Sequence, residues 1–499
     1  MSDPFVIRGA TLVDGTGAAP RRADVRVDRG RIVDVGPQLS APTVVDADGL
    51  HLLPGIVDVH THYDAQITWD PLVSPSSSHG VTTVVMGNCG VGFAPARDDE
   101  HDWLIGLMEG VEDIPGAALT EGLTWGWSSF PEYLDVLDRQ HRAVDFATQV
   151  PHGPVRAYAM GARGAANEPA TEADLRQMAA LVGEGIAAGA LGFSTSRTPL
   201  HKARDGRFVP GTHADEAELA AIASAMPTGS VLQLAAHHPQ VPLELDWMER
   251  IAATGVSVLF NLVQTDEAPG LWRSVLERLD RAPAGLRAQV AGRPAGILMN
   301  WRGSAHPFLP VIPYLELHHL PWDQRLAALR DPAVRARIVG QDPVSVGPFE
   351  DLVVRSFHRM FRLGDPPVYE PGADASAAAV AAREGRSARD VVYDWLLEDD
   401  GQGTVYFPLF NYADGHTDHL ATLLRHPRTV LGLGDGGAHC GAICDASVPT
   451  WMLGWWARDR ARGTLPLATV VEAHTRRTAA AYGLTDRGVV APGYRADLL

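Results

Sequence analysis

The sequence predicts an α/β chain whose main body is a (β/α)8 TIM-like barrel. Three observations carry this. Eight short apolar runs punctuate the chain from Leu52 onward. Most of the stretches between them are long, amphipathic and rich in Ala, Leu and Arg, as crossover helices are. Strands alternating with helices imply parallel βαβ units, and eight such units suggest closure into a barrel. The chain of 499 residues also leaves room for a second unit, since domains run to roughly 100–200 residues.

That second unit comes first, over residues 1–52. Val6–Leu12 reads as a strand that ends at the Asp14-Gly15 turn. Asp24–Val35 alternates at period two, with Gly30 marking a hairpin. The barrel is expected over residues 53–484. Its runs are Leu53–His60, Gly80–Gly87, Phe146–Val150, Ala190–Ser194, Val231–Leu234, Val258–Asn261, Val405–Phe410 and Val430–Leu433. Glu172–Ala188 typifies the helices between them. Leu175, Met178, Leu181 and Ile186 recur along it, and Gly189 is its stop signal. Gly296–Trp301 is a ninth strand-like run. It is placed, with the helical material that follows, in an insertion at about 296–395, before the seventh strand. Within that insertion the Ala-rich stretch 373–382 reads as a helix.

Composition narrows the function classes. A net charge of -18 argues against a protein that coats nucleic acid or an anionic membrane. Hydrophobic residues at 45% and charged residues at 20% fit a folded globular chain. No apolar run reaches the ~18 residues of a spanning helix. Met1-Ser2-Asp3-Pro4 lacks the basic and apolar regions of a secretory signal. Cys89, Cys440 and Cys444 form no disulfide framework, which suits a cytoplasmic location. Lys202 is the one lysine among 42 basic residues.

Three strand ends carry chemistry. His60-Thr61-His62 ends the first barrel run, and residues i and i+2 of a strand point to the same side. Both imidazoles can therefore reach one metal ion, though paired histidines also occur as plain packing. Gly87-Asn88-Cys89-Gly90 ends the second run. Its cysteine is either a small buried hydrophobe or a thiolate ligand. Gly434-Asp435-Gly436-Gly437 ends the eighth, where Asp435 serves as metal ligand, base or turn cap. The C-terminal mouth of a barrel is where active sites lie, which favours the chemical readings together.

These motifs resemble the amidohydrolase superfamily, and within it the D-aminoacylase (N-acyl-D-amino-acid deacylase) branch. The resemblance runs through Pro54–Asp64, His79–Thr83, Gly87–Gly90, Trp127–Leu134, His152-Gly153 before Arg156, Gly189–Thr195, Asp435–Gly437 and Ala491–Leu498. The first motif is shared across the superfamily; Asn-Cys-Gly is specific to this branch. The resemblance implies a barrel plus a small β-sandwich formed from both chain ends, with residues 485–499 beginning the returning segment. Family members continue further, so the C-terminal part of the sandwich is expected to be truncated here. It implies one or two divalent ions, zinc above all. His60, His62, Cys89 and Asp435 match the metal ligands, with Cys89 in the bridging place that a carboxylated lysine fills in many relatives. The lack of a lysine at any strand end agrees. It also implies Asp435 as proton shuttle.

The sequence departs from that pattern at two strands. The fifth run continues Ala235-Ala236-His237-His238, one or two positions beyond the expected ligand, and the sixth ends Asn261-Leu262-Val263-Gln264 without a histidine. A single ion on His60, His62, Cys89 and Asp435 is one reading, with Asn261, Gln264 or His237 as possible additions. His439 is a further candidate for metal or substrate. Cys440 and Cys444 are expected to pack. The tryptophans Trp125, Trp127, Trp451, Trp455 and Trp456 line a pocket or fill the core. The function expected is metal-dependent hydrolysis of a linear amide that is not a peptide bond, namely deacylation of an N-acyl-D-amino acid by an activated hydroxide. Arg197 and Lys202 are the candidate cations for the substrate carboxylate. The alternatives are a hydantoinase-like hydrolase of cyclic amides and a non-catalytic binding protein on a decayed barrel. The expected partner is a small molecule, with neither nucleic acid nor membrane involved; oligomeric state is left open.

Overall fold

The N-terminal strands are set by the alternation seen in the sequence. The computed structural model describes residues 4–499, apart from the side chains of Pro348 and Phe349; Met1–Asp3, read above for a signal, lie outside it. Strands β1 (Phe5–Leu12), β2 (Arg21–Asp28), β3 (Arg31–Gly36), β4 (Thr43–Asp46) and β5 (His51–Leu52) form one sheet. The β2–β3 hairpin turns at Arg29 and Gly30, both left-handed, as the Gly30 signal requires. The other chain end packs here. Tyr494 O accepts the Ile32 N–H at 2.9 Å, and Gly30 O accepts the Ala496 N–H at 2.9 Å.

The body is a mixed α/β arrangement. Its strands are β6 (Ile56–Asp58), β7 (Val81–Met86), β8 (Asp145–Thr148), β9 (Val150–Pro151), β10 (Gly192–Ser196), β11 (Val231–Ala235), β12 (Ser257–Asn261) and β13 (Leu286–Val290). Chain order continues through β14 (Gly296–Met299), β15 (Phe361–Arg362) and β16 (Val405–Pro408) to β17 (Thr429–Leu431). Parallel pairing runs β6–β7–β8, then β9–β10–β11–β12–β13–β17. Only Gln149 separates β8 from β9, and its N–H donates to Met86 O. At the other end Thr61 and Gly436 form a parallel bridge. The His62 N–H donates to Gly436 O at 2.8 Å and the Asp435 N–H to His60 O at 2.9 Å. These bonds hold the ends of β6 and β17, which carry three of the site residues, side by side.

One strand assignment is corrected. Val405–Phe410 is not the seventh strand of the parallel series; it forms β16 and pairs antiparallel with β14 and β15. With β8 and β9 counted as one strand, the seventh place belongs to β13, Leu286-Arg287-Ala288-Gln289-Val290. Its two polar residues hide it from a search for apolar runs. Gln289 is fully buried nonetheless, because His60 and Tyr482 satisfy its amide. The insertion between β13 and β17 has its own core, in which Trp301 stacks on Phe308 and Tyr314 and meets Tyr393 edge-on. That core reaches from Ile297 to Phe407, beyond the expected end near residue 395. Among the described residues no helix is long and apolar enough to cross a membrane.

The helix Glu172–Ala188 forms as its pattern predicts. Thr171 and Asp174 make a capping box at its start, and Gly189 ends it at a φ of 127°. Behind β10 lies a buried charge cluster. His152 Nε2 meets Glu218 Oε1 at 2.8 Å, Arg156 also binds Glu218, and His152 Nδ1 meets Thr195 Oγ1 at 2.8 Å. Burial raises the Glu218 carboxyl, but His152 and Arg156 outweigh it and bring it down to about 2. A carboxyl depressed in the fold stabilises it above the ordinary value of 4.5 and loses that contribution as pH falls toward 2. Glu218→Ala leaves Arg156 buried and unpaired, so a loss of about 3–5 kcal/mol is expected. Thermal unfolding at pH 7 checks this, and the deficit should shrink as the pH is lowered toward 2.

Candidate active site

The site is built where β6, β7 and β17 end. After β6 the chain bends, and His60 and His62 bring their rings to 5.5 Å, edge to face. After β7 it turns at Cys89, whose φ of 57° is left-handed for a residue that is not glycine. Such backbone costs on the order of 1–3 kcal/mol and persists only where neighbours hold it. Gln233 holds it here, its Oε1 accepting the Cys89 N–H at 3.0 Å. Gly87 must be glycine, since at its φ of 74° a Cβ would lie 2.3 Å from Gln149 O. After β17, Asp435 and His439 are left-handed as well.

These turns bring four expected residues together. His60 Nε2 lies 3.3 Å from Cys89 Sγ and 3.4 Å from Asp435 Oδ1. His62 Nε2 lies 3.7 Å from the same oxygen. Ligand atoms of His60, His62 and Cys89 all fall within 4.8 Å of one another, the one such group among the described residues. His60 Nδ1 meets Gln289 Oε1 at 3.0 Å, so the carbonyl fixes the proton there and leaves Nε2 with a lone pair turned to the site. Asp58 Oδ1 accepts the His60 N–H at 3.1 Å.

The electrostatics of the group call for a cation. Burial pushes the Cys89 thiol well above its usual value, and Glu112, Asp435 and Asp64 add to that. Burial alone would raise Asp435 too, but the hydrogen bond to His62 and the charges of His60, His439 and His62 hold it well below the usual range. Burial keeps His62 neutral, down to about 4. Two imidazoles and a thiol gathered in one buried group, with the Asp435 carboxylate against both rings, form a donor set of the kind that binds zinc-like ions. A divalent cation would deprotonate the thiol outright. The residues fit the ion.

The other expected residues lie elsewhere. His439 is close, its Nε2 4.0 Å from Asp435 Oδ2 and 3.7 Å from Glu112 Oε2. His237 is not in the group; it lines a cavity of about 330 Å³ with His238, Leu200, Arg359, Phe407 and Phe410. Arg197 is engaged by Glu244 at 2.9 Å and by the Ala214 carbonyl. Lys202 forms a backbone bridge with Phe208, and no ion pair involves it among the described residues. Asn261 accepts a hydrogen bond from Gln233, and Gln264 donates to Asp414. Cys440 and Cys444, expected to pack, are exposed. Backbone bonds from Cys440 and Gly441 to Asp113 tie their loop to a helix end instead of folding it inward. Trp127 and Trp456 are core, while Trp451 and Trp455 stack beside Tyr369.

The sequence reading missed Glu112, Gln233, Gln289 and His201. Burial lowers His201 to about 3, with His62 and His439 close enough to lower it further. Gln233 carried a signal, a lone polar residue within an otherwise apolar strand; Gln289, which shares its strand with Arg287, did not, though both are fully buried in the fold.

The sequence matches the amidohydrolase family over residues 43–499. It is 29% identical to the D-aminoacylase of Alcaligenes xylosoxydans xylosoxydans over 506 residues, covering 100% of this chain and 88% of that protein. It is 37% identical over 193 residues to the N-acyl-D-aspartate deacylase of the same organism, covering 38% of this chain and 36% of that one. The fold matches a D-aminoacylase crystal structure with a TM-score of 0.63 at 24% identity, covering 100% of this chain and 89% of the other. It matches the Bordetella bronchiseptica N-acyl-D-glutamate deacylase, complexed with zinc and a phosphonate mimic of the tetrahedral intermediate, with a TM-score of 0.64. There the identity is 23%, and the match covers 100% of this chain and 90% of that one. The chain belongs to the amidohydrolase family and is a metal-dependent hydrolase.

Proposed function

We propose that the chain deacylates an N-acyl amino acid of D configuration. In this reading one zinc ion is held by His60, His62, Cys89 and Asp435 at the mouth of a closed (β/α)8 barrel. The convergence of these four side chains carries it. A bound divalent ion supplies Lewis acidity and lowers the pKa of water from about 15.7 toward 7. Gln289 keeps the His60 proton on Nδ1 and so keeps Nε2 turned to the site. Asp435 is held ionised beside His60 and His62, and its carboxylate is the group placed to take a proton from the attacking water and pass it to the leaving nitrogen. His60, His62 and Cys89 are all at most 4% exposed, so bulk water is largely excluded from the group.

The substrate's apolar part is assigned to the cavity beside His237 and Phe410, at the ends of β10, β11 and β12. Lys202 follows His201, and it is the cation assigned to the substrate carboxylate; Arg197 is committed to Glu244. The D configuration rests on the relatives. The non-catalytic reading falls with family membership.

The test is release of free amine from N-acetyl-D- and N-acetyl-L-amino acids by zinc-loaded protein, with a hydantoin alongside. The D series should react faster by about tenfold or more. Opening of the hydantoin ring with no amine from either series would overturn the proposal.

A further inference from the structure

We propose that Glu112 is the positioning residue for His62, a buried carboxylate that strengthens metal binding without touching the ion. Glu112 arrives from an element that carries no other site residue, as the last residue of the helix His101–Glu112. It is 2% exposed. Its Oε1 lies 3.3 Å from His62 Nδ1, in contact with it though out of hydrogen-bond alignment. Neither atom has another partner. Its Oε2 lies 3.7 Å from His439 Nε2.

The backbone fixes this placement. The His439 N–H donates to Glu112 O, and the Cys440 N–H to Asp113 O at 3.2 Å. Asp113, left-handed at a φ of 51°, accepts the Gly441 N–H at Oδ2, 3.0 Å away. The helix end is thus stitched to the loop that follows Asp435, and Glu112 has little freedom to turn away.

A carboxylate buried without a hydrogen bond is costly, and such groups concentrate where a function holds them. His60 and His62 are backed differently: His60 Nδ1 faces the neutral amide of Gln289, and His62 Nδ1 faces a carboxylate. A carboxylate behind an imidazole fixes its tautomer and raises the basicity of the far nitrogen, and loss of such a partner typically costs ~10–100-fold in metal affinity. The inference rests on the metal reading given above.

The test uses full-length protein, zinc as the probe and a chromophoric chelator as competitor. Glu112→Gln, which keeps the shape, and Glu112→Leu, which removes the polar group, are compared with wild type. Zinc affinity should fall ~10-fold or more in the first and toward ~100-fold in the second. In Glu112→Leu the unfolding midpoint of the metal-free protein should hold or rise, because an unpartnered buried polar group has gone. A purely structural Glu112 would give the reverse, a lower metal-free midpoint with unchanged zinc affinity, and that result would overturn the proposal. Wild type that binds zinc but cleaves no N-acyl amino acid would count against the deacylase reading and leave the Glu112 comparison intact.

Discussion

Cys89→Ala is expected to strip the protein of its metal and of its amide hydrolysis together. Cys89 is one of three residues whose ligand atoms share a space 4.8 Å across, and it is the soft donor among them. Removing it leaves His60 and His62 with Asp435, a set without its anionic sulfur. Loss of an outer partner already costs ~10–100-fold in affinity, and loss of a direct ligand exceeds that. The fold should survive. Cys89 contributes one small side chain to a large core, and alanine retains its Cβ. The left-handed turn at Cys89 is kept by the backbone bond to Gln233, which alanine also makes. Metal analysis beside a thermal melt separates the two effects. A melt near that of metal-free wild type, with no zinc bound, is the expected pair of results.

Asp435→Asn is expected to separate binding from chemistry. Asparagine has the same shape and keeps an oxygen near His60 and His62. It cannot accept and return a proton as the carboxylate does. General acid–base groups contribute ~10²–10⁴-fold, so kcat should fall by that range. KM should change little, since Asp435 is assigned to proton transfer and metal and not to the substrate's side chain. Steady-state kinetics on metal-loaded protein check this. A large rise in KM at constant kcat would assign Asp435 to substrate binding instead.

Much of this site was legible because its chemistry lies at strand ends. His60 and His62 stand two apart just past the end of a strand, and Cys89 and Asp435 stand next to glycines where the chain turns. The parts that stayed hidden depend on partners far along the chain. Glu112 comes from a helix, where nothing in its surroundings separates it from a solvated surface acid. Arg197 reads as a free cation until Glu244 is seen beside it. Strand β13 escaped because two of its five residues are polar, and Gln289 is tolerated inside because His60 and Tyr482 satisfy its amide. The opposite error gave Val405–Phe410 too much weight: an apolar run suits a buried strand in any sheet, and this one serves the core of the insertion. The exposed Cys440 and Cys444 fail the usual expectation for free cysteines, because their loop is held outward on Asp113.

The most direct test is a metal titration of chelator-treated protein, with amide hydrolysis read at each addition. Zinc is added to wild type and to Cys89→Ala, with an N-acetyl-D-amino acid as substrate. The account predicts that the wild-type rate climbs from near zero and reaches its plateau at about one zinc per chain, as expected for a single built site, while Cys89→Ala stays flat. Full hydrolysis by the metal-free wild type, or equal reactivation of Cys89→Ala, would contradict it.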